Sequence, residues 1–279
     1  MRGRDLGLFA AIITLLLPGF VIRTRAQTAT PVPYASISAE VESYAGPGRA
    51  PANDLKGQII RIGLLAPLQG ARKAEGDAMV AAAQMALRDS ASRRLSHGRR
   101  VALVVEDSSV PSWGIVSNAV IRLMLDDEAV AVITSTSGAD THLCEQVGNR
   151  IGVPVLSLSA DATTTQIDIP WIFRMGPSDV ENADLIAQDI VAEVDKSTAK
   201  RRDFVTRFRQ STGVRPGLVA SRTYDAVIVT IHALRIAGPN RARVRDQLAR
   251  TTNYDGVSGT ISFDREGNNR ATLYVTQRK

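Results

Sequence analysis

The sequence contains very few of the side chains on which disulfide and metal chemistry depend. Cys144 is the single cysteine among 279 residues, so an internal disulfide and a zinc site built from thiolates are both excluded. Only three histidines are present, which leaves little for metal binding. We therefore expect neither a structural nor a catalytic metal, and no stabilisation by cystine.

Motifs of the common enzyme classes are also missing. No Gly-x-Ser-x-Gly, Walker loop or Gly-x-Gly-x-x-Gly sequence occurs. Ser197 and Lys200 have the Ser-x-x-Lys spacing of penicillin-recognising enzymes, but Ser-Asp-Asn and Lys-Thr-Gly do not accompany them. We interpret that match as chance, and we expect no catalytic residue, no cofactor and no enzyme activity.

The first 26 residues have the organisation of a secretion signal. Arg2 and Arg4 precede an apolar run from Leu6 to Ile22, and Thr24 and Ala26 place small residues where a signal peptidase reads the chain. We predict cleavage after Ala26 and a periplasmic or other extracytoplasmic protein; an uncleaved anchor is the alternative. The formal charge of the whole chain is +6, and +3 remains without the four arginines and one aspartate of this segment. That charge is too small to indicate a nucleic-acid partner.

Residues 27–56 are predicted to be a flexible linker. Threonine, serine, proline and glycine are frequent there, and large apolar side chains are rare. Such a composition buries too little surface to offset the entropy of the chain.

Residues 57–194 show the alternation of a doubly wound α/β lobe. Four short apolar runs, rich in β-branched residues, predict strands buried on both faces of a parallel sheet. These runs are Ile59–Leu65, Val101–Val105, Ala129–Ile133 and Val153–Leu158. Apolar residues with helical spacing follow each run, and the clearest of these helices is predicted over Val180–Val194, after Pro177-Ser178-Asp179.

Residues 195–279 are predicted to form a reduced C-terminal segment. Helices are expected over Lys200–Gln210, Ser221–Ala237 and Arg241–Arg250. A β-hairpin is expected to pair Gly259–Phe263 with Leu273–Thr276 around a turn at Asp264–Asn269.

Several segments, in the same order, resemble the branched-chain amino acid binding proteins, which are the extracytoplasmic receptors of ABC importers. The segments are Arg61–Leu68, Val104–Asp107, Gly152–Ser157, Phe173–Asp179, Tyr224–Val227 and Tyr254–Asp264. The resemblance covers most of residues 58–279 and implies the type I periplasmic binding fold, with two lobes that close on a ligand. It also implies that part of the second lobe is missing, because the family carries two or three further βα units between the positions of Val194 and Tyr224.

One candidate ligand site lies where the third predicted strand leads into a helix. Ligands of open α/β sheets bind at the carboxyl ends of the strands, where helix N-termini attract anions. Ser137, Gly138, Ala139 and Thr141 occupy that position, and the resemblance assigns it to the carboxylate of an amino acid. Alternatively, Ser137 only caps its helix.

Two further loops complete the predicted site. By the resemblance, Ser159, Ala160 and Asp161 contact the ammonium group of the ligand, with Asp161 at a position where threonine is usual in the family. Asp161 either pairs with the ammonium or caps the following turn. Leu68 and Gln69, which follow the first strand, are expected to border the side-chain pocket or to be a plain connecting loop.

The sequence as a whole predicts a solute-binding protein that captures an amino acid or a similar small carboxylate. Its expected partners are that ligand and the permease subunits of an inner-membrane ABC importer. The alternative is a sensing or interaction module that derives from the same fold and has lost transport.

Overall fold

Five parallel strands form the central sheet of the molecule. A computed structural model describes residues 46–91, 95, 98–166, 169–179, 190–192, 198–270 and 275–277. The strands are β1 (Ile59–Ala66), β2 (Arg100–Asp107), β3 (Val132–Thr134), β4 (Val155–Ser157) and β5 (Ile172–Arg174). Their order is β2-β1-β3-β4-β5, and every neighbouring pair is parallel. The fold is thus the predicted doubly wound α/β sheet.

Six α-helices surround this sheet in the described part of the chain. They are α1 (Lys73–Ala91), α2 (Trp113–Ile121), α3 (Gly138–Ile151), α4 (Ala199–Thr212), α5 (Leu218–Ala237) and α6 (Arg241–Ala249). Ser137, Thr198 and Asn240 cap α3, α4 and α6, because each side chain accepts a hydrogen bond from a backbone N–H of the first turn. Among the described residues, every helix is too short or too polar to cross a bilayer.

The two faces of the sheet pack against different helices. Ile62 and Leu64 of β1 join one hydrophobic cluster with α1 and with α4, α5 and α6 of the C-terminal segment. Leu65 joins the other cluster, with α2 and α3. Successive side chains of a strand point to opposite faces, so this division follows directly from the sequence of β1. The C-terminal helices therefore cover the same face of the first lobe as α1.

The four strands predicted for the sheet are confirmed, and a fifth strand joins them. The four apolar runs contain or overlap β1 to β4. The fifth strand, Ile172–Arg174, is only three residues long and has no periodicity of its own, so the sequence pattern does not reveal it.

The helix predicted over Val180–Val194 is wrong at its C-terminal end. Ile190–Ala192 form strand β6, which pairs antiparallel with β9 (Val275–Gln277). Residues 180–189 lie outside the described part. The helical spacing of this segment gives no information about a partner strand more than 80 residues away, and tertiary pairing decides its conformation.

A β-hairpin is present in the C-terminal segment, but its strands differ from the predicted pair. Thr260–Ile261 (β8) pairs with Tyr254–Asp255 (β7) rather than with Leu273–Thr276. The turn at Asp264–Asn269 is confirmed, because Asp264 N–H donates to Asn268 O and Phe263 forms a bridge with Asn269.

The end of the predicted linker is fixed to the lobe. Arg49 bonds to Asp246 of α6 at 2.7 Å, and Arg243 of α6 bonds to Asp54 at 2.8 Å. Leu55 N–H also donates to Pro239 O. Residues 46–56 are therefore not a tether, since these contacts replace the hydrophobic burial that their composition lacks. The rest of the linker and the signal segment lie outside the described residues.

Candidate functional site

At the carboxyl edge of the sheet, the loops that follow β1 and β3 border the switch point at which doubly wound sheets have their crevice. These strands are neighbours, but the chain after β1 enters α1 on one face and the chain after β3 enters α3 on the other. The two loops therefore diverge at this edge. Ligands of doubly wound sheets bind at such a switch point, and the predicted residues around Ser137 lie at this one.

The N-terminus of α3 presents hydrogen-bond donors to the crevice. Ser137 Oγ accepts a hydrogen bond from Asp140 N–H at 3.2 Å, so this serine is the N-cap that one interpretation predicted. Among the described residues, the Ser137 hydroxyl proton and the N–H groups of Gly138 and Ala139 have no acceptor within hydrogen-bonding distance. Capping uses the acceptor capacity of Ser137 and leaves its proton available, so capping and ligand contact are compatible.

An ion pair closes one side of the crevice. Arg72, which directly precedes α1, donates to both carboxylate oxygens of Glu75 at 3.0 and 2.8 Å. It also donates to the hydroxyls of Ser135 and Thr136, each at 3.1 Å. Glu75 in turn accepts from Thr136 N–H at 3.0 Å. Burial raises the pKa of Glu75, but the hydrogen bonds from Arg72 and Thr136 outweigh it, and the pKa lies below its ordinary value. This clamp fixes the loop after β3 against α1.

A chain of buried hydroxyls runs beneath the start of α3. Thr141 Oγ1 lies 2.9 Å from both Thr134 Oγ1 and Ser157 Oγ, and it donates to Ser137 O at 3.0 Å. Ser157 Oγ accepts from Ser159 N–H at 3.0 Å. Thr141 is completely buried, so the structure places this predicted contact residue inside the protein, where it joins α3 to β3 and β4.

Asp161 lies against the start of α3 and caps a short helix. Its carboxylate accepts from the N–H and the hydroxyl of Thr163 at 2.9 and 2.6 Å. These bonds lower the pKa of Asp161, so the side chain is ionised near neutrality. A Cβ added at Gly138 would lie 3.0 Å from Asp161 Cβ, which shows how closely the two predicted loops approach. Ala160 O accepts from Asp179 N–H at 2.6 Å.

Two groups that sequence reasoning did not use stand next to Asp161. His142 Nε2 lies 2.9 Å from Thr163 Oγ1 and 3.7 Å from Asp161 Oδ2, and its Nδ1 lies 3.3 Å from Glu145 Oε2. Burial, and to a smaller extent Asp161, raise the pKa of Glu145 to about 7, against the charge of His142. Among the described residues, no group of three or more acidic, histidine or cysteine side chains has the arrangement of a metal site.

The loop after β1 is tied to the end of β2. Leu68 N–H donates to Asp107 Oδ1 at 2.9 Å, and Gln69 donates to Asp107 Oδ2 and Ser109 Oγ at 2.9 and 2.6 Å. Leu68 packs against the hydrophobic core, whereas Gln69 is exposed. The prediction that both residues border the ligand pocket stays a prediction.

Of the predicted residues, the structure brings Ser137, Gly138, Ala139 and Asp161 together at one edge. Sequence reasoning missed Arg72 and Glu75, which hold that edge in place. In the sequence they appear only as a charged pair at spacing i, i+3 between the first and second strands. Such pairs are common on solvated helices, so the pattern does not indicate a binding site.

Comparison with known proteins gives one family and many similar structures. Residues 59–199 match the family described as periplasmic binding protein. No curated protein matches the sequence significantly.

The similar structures share the fold at low sequence identity. The branched-chain amino acid transporter substrate-binding protein LivJ of Streptococcus pneumoniae, in complex with isoleucine, has a TM-score of 0.69 and 16% identity over 79% of this chain and 96% of its own. An ABC transporter substrate-binding protein of Desulfitobacterium hafniense, in complex with leucine, has a TM-score of 0.68 and 16% identity over 77% and 96%. A solute-binding protein of Rhodopseudomonas palustris, in complex with 3,4-dihydroxybenzoic acid, has a TM-score of 0.64 and 11% identity over 80% and 94%.

Proposed function

The chain belongs to the periplasmic binding protein family, and from that premise we propose that it is an extracytoplasmic solute-binding protein. Its ligand is an amino acid or a related small carboxylate, which it binds without catalysis. Its further partners are the permease subunits of an inner-membrane ABC importer, and a cleaved signal peptide carries it to them.

The observation that carries this proposal is the set of donors at the start of α3. The N–H groups of Gly138 and Ala139 and the Ser137 hydroxyl are directed from one helix end, whose dipole adds positive potential. A carboxylate accepts several such bonds at once, and helix N-termini are common binding sites for anions. The ligands named in the three structures above, isoleucine, leucine and 3,4-dihydroxybenzoic acid, all carry a carboxylate.

Asp161 supplies a negative charge beside these donors. Its carboxylate keeps accepting capacity beyond the two bonds from Thr163, and it is only partly buried. An α-amino acid has its ammonium and carboxylate on the same carbon, so a donor set and an anion in adjacent loops suit it. An aromatic acid has no ammonium and uses only the donors of α3.

The experiment compares two variants of the same residue. Asparagine and aspartate are both good N-caps, so Ser137→Asn and Ser137→Asp keep the start of α3 intact. They differ in one negative charge placed where the ligand carboxylate binds. We expect Ser137→Asn to bind leucine or benzoate within a few-fold of the unsubstituted chain, and Ser137→Asp to bind at least about a hundredfold more weakly, as repulsion replaces a charge-assisted bond.

Titration calorimetry on the secreted chain measures both affinities, with circular dichroism as the control for folding. Equal affinities in the two variants would show that the ligand carboxylate does not bind at α3.

A sensing or interaction module is the second candidate, and one observation favours it. Between Asp179 and Thr198 the described residues form only β6, so little chain is available for a second lobe that encloses a ligand. A ligand held by one lobe stays in contact with water and binds weakly. A folded chain that binds none of the acids above would favour this candidate.

A further inference from the structure

The guanidinium of Arg222 is a second positive charge near the carboxyl edge of the sheet, beside β5. Arg222, in the second turn of α5, packs against Gly176, two residues beyond the end of β5. A Cβ added at Gly176 would lie 2.5 Å from Nη1 and 2.7 Å from Nη2 of Arg222, so the guanidinium occupies the space that a side chain would otherwise fill. Glycine at this position makes room for the charge.

Arg222 has no counterion in the described part of the chain. Among the described residues, neither a carboxylate nor any other acceptor lies within bonding distance of its guanidinium. Burial and the nearby charge of Arg174 both lower the pKa of Arg222. An arginine stays protonated in proteins, so the charge persists although its surroundings disfavour it.

The nearest charged neighbour of Arg222 is Arg174. Arg174, at the end of β5, is buried, donates to the amide oxygen of Asn268 at 2.6 Å and lies close enough to Asp161 to lower the pKa of that carboxyl. α5 begins beside Gly217 without a side-chain cap and without an acidic residue in its first turn. Arg222 itself is partly exposed, so a small solute can reach it.

We propose that Arg222, with Gly176 and Arg174 beside it, is a binding site for an oxyanion of a small solute, either a carboxylate or a phosphate. A guanidinium fork matches both groups through two parallel N–H···O bonds. Arg222 bonds to none of the groups at the start of α3, so this site goes beyond the proposed function and holds or fails independently of Ser137.

The test measures how anions change the melting temperature of the full secreted chain. Sodium benzoate and sodium phosphate are each compared with sodium chloride at equal ionic strength, for Ser137→Asp, in which the added charge closes the α3 site to anions, and for the double variant Ser137→Asp with Arg222→Met. We expect a rise of about 2 to 5 °C with at least one of the two anions in Ser137→Asp, and no rise in the double variant. A response to benzoate alone identifies a carboxylate site, and a response to phosphate, with or without benzoate, identifies a phosphate-accepting one.

Two further variants, made in the same Ser137→Asp background, isolate the site. Arg209→Met removes an exposed arginine of α4 and should keep the full anion response. Gly176→Ala keeps every charge but displaces the guanidinium, and it should lose the response. The proposal is overturned if neither anion stabilises Ser137→Asp more than chloride does, if adding Arg222→Met leaves the response equal, or if adding Arg209→Met also abolishes it.

Discussion

Ser137 and Thr141 lie one helical turn apart, and their hydroxyls have different partners. Thr141 is buried and bonds to Thr134 and Ser157, so it holds α3 on the sheet. Ser137 accepts from Asp140 N–H, and that bond leaves its hydroxyl proton available. The sequence predicted both residues at the start of a helix, and α3 begins there. Whether a hydroxyl faces the core or the crevice depends on the packing of β4 beneath it, which no local pattern encodes.

The buried carboxyl of Glu145 predicts a pH dependence of stability. Its pKa rises from 4.5 to about 7 on folding, chiefly through burial. The folded chain therefore binds more protons than the unfolded chain between these values, and the contribution of protonated Glu145 is lost as the pH rises through about 7. We expect the free energy of unfolding of Glu145→Gln to exceed that of the unsubstituted chain by about 2 kcal/mol at pH 8 and to match it at pH 4.

Urea denaturation of both proteins across this pH range measures the difference. Parallel pH profiles for the two proteins would mean that Glu145 has an ordinary pKa in the folded state.

At the scale of elements, local sequence patterns sufficed to predict β1 to β4 and failed for the later strands. The β-branched runs of β1 to β4 are long or apolar enough to be recognised in the sequence. Their parallel direction follows from the helices that connect them. Ile190–Ala192 lies in a segment with helical spacing but pairs with Val275–Gln277. β8 pairs with β7, which precedes it in the sequence, and not with the segment that follows it. These choices depend on contacts that are distant in the sequence.

Asp225 joins two of these elements and predicts a large loss of stability. From the middle of α5, its buried carboxylate accepts from Val257 N–H at 2.9 Å and from Ser258 N–H at 2.7 Å, within the loop between β7 and β8. Asp225→Ala leaves both donors without an acceptor. We expect the free energy of unfolding to fall by about 2 to 4 kcal/mol in urea titrations at pH 7.5.

Asp203→Ala is the matched control, because Asp203 is exposed on α4 and its one ion pair among the described residues is with Arg207 of the same helix. Its loss should cost less than about 0.5 kcal/mol. Similar losses in both variants would show that the clamp at Asp225 contributes no more than a surface ion pair.

At the scale of the whole molecule, one hydrophobic cluster extends from β1 to Phe263 near the C-terminus. The helices that follow residue 198 complete the first lobe. The other elements of the described residues after β5 are the short strands β6 to β9. The family resemblance predicted the fold, which the parallel sheet confirms, whereas the shortened second lobe stays a prediction. Composition alone would not have shown that residues 46–56 dock on α6, since four charged side chains make those contacts.

The export proposal predicts the mass of the mature chain. A charged start, an apolar run and Thr24-Arg25-Ala26 favour cleavage after Ala26. Mass spectrometry of the extracytoplasmic fraction should therefore find a protein that begins at Gln27. A mature protein that retains residues 1–26 would contradict cleavage and favour an anchored form.

The central claim is that one lobe of this chain binds the carboxylate of a small solute, and calorimetric titration of the mature protein tests it most directly. Leucine and leucinol differ only in that the alcohol lacks the carboxylate. The account predicts that leucine, isoleucine or benzoate binds with a measurable heat, and that replacing the carboxylate by an alcohol weakens binding at least about tenfold. Titrations in which none of the three acids binds, or in which the alcohols bind as tightly as the acids, would contradict it.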